Sequence, residues 1–253
     1  GIPASHPELL DWLAVNFQDD MNWSMKKLIK KIVMSQSYRQ NSATDEHKIK
    51  KDPYNKFLSR GSRTRLPAET IRDQALAISG LLNEKQLGPS VMPYQPENII
   101  SFGGKFWFPS EGEEKYRRAV YTYWKRTHPY PSFVTFDSPS REVCTSRRIR
   151  TNTPLQSLVL LNDPVYIEAA DAWAKRILKE SGNNIKNGIE KNLRLVTAKV
   201  PEPEKVEVLH QLYLESLSYY QKEGKELDKN AELAAMRMVS NAMLNLDEFV
   251  TRR

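Results

Sequence analysis

The segment from Asp137 to Thr153 gathers Arg141, Glu142, Cys144, Arg147, Arg148, Arg150 and Asn152. A guanidinium presents paired N–H donors in a planar fork, the geometry that carboxylate, sulfate and phosphate accept. Thr153-Pro154-Leu155-Gln156 follows at once as a helix start, with a capping-box pattern and proline in the first turn. Its oriented amides would favour an anion beside the arginines. Arg141, Arg147, Arg148 and Asn152 are thus candidates for an anion or acidic-sugar pocket. The competing role for the same arginines is internal, tying irregular loops to helix ends and carboxylates.

Cys144 is the single cysteine. Neighbouring arginines could lower its pKa and make it a redox group or nucleophile, but no base or resolving partner is visible in the sequence. A lone cysteine is ordinarily a buried small hydrophobe. A second chemistry-bearing stretch is aromatic: Tyr94, Phe102, Phe106, Trp107 and Phe108 alternate with glycine. Such rings stack on sugars when exposed, or fold under as a local core. Tyr94 and Trp107 join the ligand-binding candidates on this ground. His6, His47, His128 and His210 are scattered without metal-ligand spacing, so no metal site is expected. Asp11, Asp73, Asp137, Asp163 and Glu168 do not resolve into a catalytic pair. No glycine-rich phosphate loop or nucleophile elbow is present. The catalytic residues, if any exist, are unknown from sequence.

These groups must be held by helices. The 253 residues combine 40% hydrophobic with 27% charged side chains, enough to bury a core and keep a wet surface. The net charge of +7 suits a polyanionic partner, but the basic residues are dispersed and no nucleic-acid reader motif occurs. No run approaches the ~18 apolar residues of a membrane span. One cysteine excludes an internal disulfide and a covalent haem motif within the chain.

Helical periodicity dominates. Ser5-His6-Pro7-Glu8 predicts a capping box, with Leu9, Leu13 and Phe17 on one face and Trp12 beside them. A second helix from Ser24 is predicted to bury Met25, Leu28, Ile29, Ile32 and Val33 opposite its lysines. Pro67 opens a third, with Ile71, Ala75, Ile78 and Leu82. A fourth is predicted over 113–126, with Tyr116, Val120 and Tyr123 on one side. Asn162-Asp163-Pro164 starts a helix through Leu178 that turns Tyr166, Ala170, Trp173 and Ile177 inward. Ser181-Gly182-Asn183-Asn184 breaks it. Later helices carry Val206, Leu209, Tyr213 and Leu217, then Leu233, Met236, Val239, Met243, Leu246 and Val250. Two long loops, 87–111 and 127–150, are rich in proline and suit function. The expectation is an all-α, multi-helix orthogonal bundle with a possible short β-hairpin in the loops. Residues 1–180 would form the main body and 181–253 a helical tail packed on it.

Several segments together carry a family signature. They are Ser5-His6-Pro7-Glu8-Leu9-Leu10-Asp11-Trp12-Leu13-Ala14, Arg65-Leu66-Pro67-Ala68-Glu69 with Ile71-Arg72-Asp73, and Pro93-Tyr94-Gln95-Pro96. Tyr116-Arg117-Arg118 with Tyr121-Thr122 follows. Then come Arg147-Arg148 with Thr151-Asn152-Thr153-Pro154-Leu155-Gln156, Leu160-Leu161-Asn162-Asp163, and finally Asn245-Leu246-Asp247-Glu248-Phe249. The chain resembles the C-terminal domain of unknown function of planctomycete-type cytochrome c-like proteins. It departs at Ala198-Lys199-Val200-Pro201, where relatives often have arginine before the proline. The resemblance implies a module of a larger, exported or periplasmic protein, with haem c in an upstream domain and none in this chain. It carries over no catalytic residue. The functional expectation is a binding or scaffolding module whose partners are the upstream domains and an acidic polysaccharide. The alternative is an enzyme domain acting on carbohydrate and coupled to the upstream haem.

Overall fold

In a computed structural model, the described residues are 3–95, 107–125, 128–145, 147–182, 184–223 and 231–252. The chain divides into two compact units, one of residues 1–64 with 252–253, the other of residues 65–251.

The first unit holds α1 (Pro7–Gln18), α2 (Met25–Met34), α3 (Gln36–Arg39) and α4 (Glu46–Lys51). Three of these starts are capped by side chains: Ser24, Ser35 and Asp45 accept from the amides of Lys27, Tyr38 and Lys48. The box predicted at Ser5 does not form. His6 takes the cap position without a side-chain bond, and Pro7 opens the helix. The buried stripe predicted for α2 is also corrected. No residue of either helix is buried, and Met21 is the only buried apolar residue among those described in this unit. Four short helices in about 60 residues enclose too little volume to hide two amphipathic faces.

The second unit holds α5 (Ala68–Ser79), α6 (Pro131–Thr135), α7 (Pro154–Asn162), α8 (Pro164–Ser181), α9 (Ile185–Thr197), α10 (Pro203–Glu223), α11 (Ala231–Leu244) and α12 (Asp247–Val250). The centre is α8, against which α5, α7, α9 and α11 pack, while α10 lies on α9 and α11. The inward set read from the sequence is the one observed: Tyr166, Ala170, Trp173 and Ile177 are all buried. Trp173 is fully enclosed, and its indole N–H donates to Asn192 Oδ1 at 2.8 Å, so burial leaves no unpaired donor. Asn192 in turn donates to the Gly188 carbonyl at 3.0 Å. Gly188 permits the close approach of α9 to α8, since a Cβ there would lie 1.7 Å from Ser181 Oγ. Asp163 caps α8 at the Val165 amide as expected. Val206, Leu209 and Tyr213 of α10 and Met236, Val239 and Met243 of α11 are buried as their spacing predicted.

The helix predicted over 113–126 is replaced, within the described residues, by two 3-10 turns, Gly112–Tyr116 and Ala119–Tyr121. Its backbone is spent elsewhere: the Tyr116 carbonyl accepts from the Asn83 amide, and the Tyr121 carbonyl from the Val91 amide. Parallel bridges join Asn83 to Arg117 and Val91 to Thr122. Among the described residues, the sheet is a pair of two-residue strands, β1 (Thr64–Arg65) and β2 (Thr251–Arg252). Among the described residues, no helix is long and apolar enough to cross a membrane.

Candidate functional site

Two of the signature segments, Arg65–Asp73 and Arg147–Gln156, meet each other in the second unit. Arg65 Nε donates to Gln156 Oε1 at 3.1 Å, and Gln156 Nε2 donates to the Thr135 carbonyl. Gln156 therefore crosses between segments, and Thr153 makes no side-chain cap bond. The capping box read at that helix start does not form. Arg148 closes both arms on Glu69, at 2.7 and 3.0 Å. Burial pushes the Glu69 carboxyl up, but the Arg148 hydrogen bond and the charges of Arg148 and Arg141 leave it below the ordinary glutamate range. Asp137 accepts from the amide and hydroxyl of Thr151, fixing the entry to α7. Arg150 donates to the Arg65 carbonyl at 2.8 Å.

The arginine segment thus splits by role. Arg148 is consumed by an internal carboxylate, as the structural reading of these arginines required. Arg147 and Asn152 are exposed, and among the described residues no carboxylate pairs with Arg147. Arg141 is exposed in the left-handed backbone region at φ 61, and its guanidinium lies 4.8 Å from the centre of the Trp124 ring. Trp124 is itself fixed by donation to the Ser140 carbonyl at 2.9 Å. An indole capped by a cation presents positive charge on an aromatic support. Cys144 is exposed, which corrects the expectation of a buried small hydrophobe. Among the described residues, no hydrogen bond or ion pair engages it.

The two aromatic candidates separate. Trp107 folds under: it donates to the Pro93 carbonyl at 2.7 Å and stacks on buried Tyr130, ring centres 6.2 Å apart and planes 7° apart. Tyr94 is exposed and lines a cleft of about 480 Å³ with Lys115, Tyr116, Glu168, Asp171 and Arg237. Glu168 accepts from Lys115 Nζ at 2.8 Å and from the Tyr116 hydroxyl at 2.6 Å. The Glu168 bond raises the Lys115 pKa, and burial followed by Glu168 raises that of Tyr116. Asp171 accepts from Lys175 at 2.6 Å and from Arg237 at 2.9 Å. Burial raises the Asp171 carboxyl, yet these two cations hold it below its ordinary range. The cleft is a charge-paired concavity with one open aromatic face. Phe102 and Phe106 lie outside the described residues.

Sequence reasoning missed the most deeply buried cations, Arg72 and Arg117. Arg72 donates to the carbonyls of Arg117 and Lys115 at 2.8 and 2.7 Å. Arg117 donates to the carbonyls of Pro89, Lys85 and Leu87 and stacks 3.8 Å from the Tyr121 ring centre. Together they replace regular backbone pairing across 84–91 and 115–119. Their place inside signature segments was the available signal, but spacing alone does not distinguish a buried arginine from a solvated one. Among the described residues, no three His, Cys, Asp or Glu side chains gather as a metal site. His6 Nε2 is engaged by the Lys56 carbonyl at 2.7 Å.

No curated protein and no solved structure matches this chain. A family model does, over residues 1–213: PSD1, described as a protein of unknown function (DUF1553). With most of its length matched, and the signature residues knitting one unit together, the chain belongs to the PSD1 family of unknown function.

Proposed function

We propose that this chain is a binding and scaffolding module of an exported, haem-linked multidomain protein, and that its arginine loop takes an acidic glycan. One observation carries the reading: Arg147 is exposed and has no carboxylate partner among the described residues, while its neighbour Arg148 is locked onto Glu69. The locked arginine holds the loop, and the free one offers its fork to sulfate or uronate oxygens. Arg141 on Trp124, and Asn152, extend the same surface with a second cation and an amide. The single cysteine does not fit covalent haem attachment, so the haem belongs to another part of the protein. Secreted surroundings suit a surface made for acidic polysaccharide.

Titrating heparin, polygalacturonate and neutral dextran against wild type and Arg147→Ala tests this. Acidic polymers should bind, dextran should not, and Arg147→Ala should weaken binding by about 1 kcal/mol or more, roughly fivefold. Binding that is unchanged in Arg147→Ala overturns the arginine-loop site.

A second reading, an enzyme acting on carbohydrate, is favoured by the cleft that joins Tyr94 to Glu168 and Asp171. An exposed tyrosine beside carboxyl acceptors suits sugar hydroxyls. Asp171, held ionised, is an acceptor rather than a proton donor, so Glu168 would have to supply the acid–base step. Release of reducing ends that is lost in Glu168→Gln would favour this reading; unchanged release would end it.

A further inference from the structure

We propose that the first unit carries a site for a small amphipathic carboxylate, an anion with a flat apolar body, between Trp12, Tyr38 and Leu58 and beneath Lys31, Arg60 and Arg252. These residues line a cavity of about 650 Å³, within the range that encloses a small ligand. The site lies wholly in the first unit and is separate from the arginine loop.

The walls explain the apolar part of the ligand. Trp12 is 48% exposed and Tyr38 44%, in a unit with almost no apolar core of its own. Apolar surface lining a concavity gains most when a matching body displaces the water there. Two aromatic side walls suit a flat ring system better than a branched one.

The rim explains the charge. Lys31 Nζ lies 4.4 Å from the centre of the Trp12 ring and donates to Asn16 Oδ1 at 3.1 Å. The Arg252 guanidinium lies 4.6 Å from the centre of the Tyr38 ring. Arg60 donates to the carbonyls of Asp52 and Pro53 at 2.8 and 3.0 Å. All three cations are therefore positioned by neutral groups, and among the described residues no carboxylate lines the cavity. The acid behind Arg60, Asp52, spends both oxygens on the amides of Lys56 and Phe57. Positive charge held on rings and carbonyls keeps unused N–H donors for a ligand anion. The hydroxyls of Ser37 and Ser62 stand on the same lining as further donors. Gly61 keeps this wall close, because a Cβ there would meet the Gln40 carbonyl oxygen at 2.5 Å.

The test is calorimetric titration of the whole chain with 2-naphthoate, using 2-naphthamide as the neutral control of equal shape. Naphthoate should bind one to one, with naphthamide about tenfold weaker or more, as loss of a charge-assisted contact implies. Arg252→Gln should weaken naphthoate about fivefold and leave naphthamide unchanged, while Arg252→Lys retains most of the affinity. Trp12→Ala should weaken both compounds, and circular dichroism reports whether each variant remains folded. Equal binding of acid and amide overturns the proposal. So does naphthoate binding that is indifferent to Arg252→Gln, or no saturable binding at millimolar concentration.

Discussion

Arg148 and Glu69 face each other fork to fork, two N–H donors on two carboxylate oxygens across 79 positions of sequence. The pair fastens the loop before α7 to the first turn of α5, so it acts on the shape of the loop that carries Arg147. Arg148→Ala should cost about 1–2 kcal/mol of stability, a modest value because the pair is partly exposed and screened. Chemical denaturation measures the loss. A second readout is proteolysis within 138–152, which should quicken in the variant.

The same pair sets a pH dependence. Glu69 is held below its ordinary value of 4.5 in the folded state. A depressed carboxyl contributes stability that is present above its unfolded pKa and fades as pH falls through the folded one. Between about pH 5 and pH 3 the wild type should therefore lose more stability than Glu69→Gln, which has no such proton to gain. Parallel denaturation curves in that window would refute the linkage.

Asp163 gives the opposite sign. Burial raises its carboxyl, against the Val165 amide and the charge of Arg72. A raised acid favours the folded state while protonated and works against it once ionised, so the folded state loses ground as pH climbs through the raised pKa. Asp163→Asn keeps the cap and removes the buried charge, and should be neutral or stabilising at pH 7. Asp163→Ala loses the cap and should cost about 1 kcal/mol. Thermal unfolding of the two variants separates the effects.

Arg117 organises the loop from Lys85 to Pro89 through three carbonyls. Arg117→Met approximates its length but leaves those acceptors unpaired. It should destabilise by about 3 kcal/mol or more, because several buried polar groups lose their partner at once. Hydrogen exchange should rise first at the Val91 amide, which bonds Tyr121 beside it.

Gly188→Ala tests the α8–α9 approach. The added methyl must displace Ser181, so a cost of about 1–3 kcal/mol is expected from overpacking. Combining it with Ser181→Ala should restore part of that loss.

What could be read from sequence alone was everything that repeats along one helix. The spacing of Tyr166, Ala170, Trp173 and Ile177 fixes a face, and a face of that size must be covered, so the α8 core was legible in advance. Asp163 and Ser24 were legible as caps because capping is local chemistry. The stripes of α1 and α2 were equally regular, yet none of their residues is fully buried, since periodicity says which side is apolar and not how far anything covers it.

Tertiary structure alone decided which polar groups are spent. Residues 113–125 follow no helix because carbonyls at 116 and 121 are claimed by distant amides. Gln156 looked like half of a capping box and instead bridges Arg65 and Thr135. Arg147 and Arg148 are adjacent and chemically identical, but among the described residues only Arg148 pairs with a carboxylate. A guanidinium's role depends on what lies a few ångströms from its tip, and that neighbour comes from anywhere in the chain.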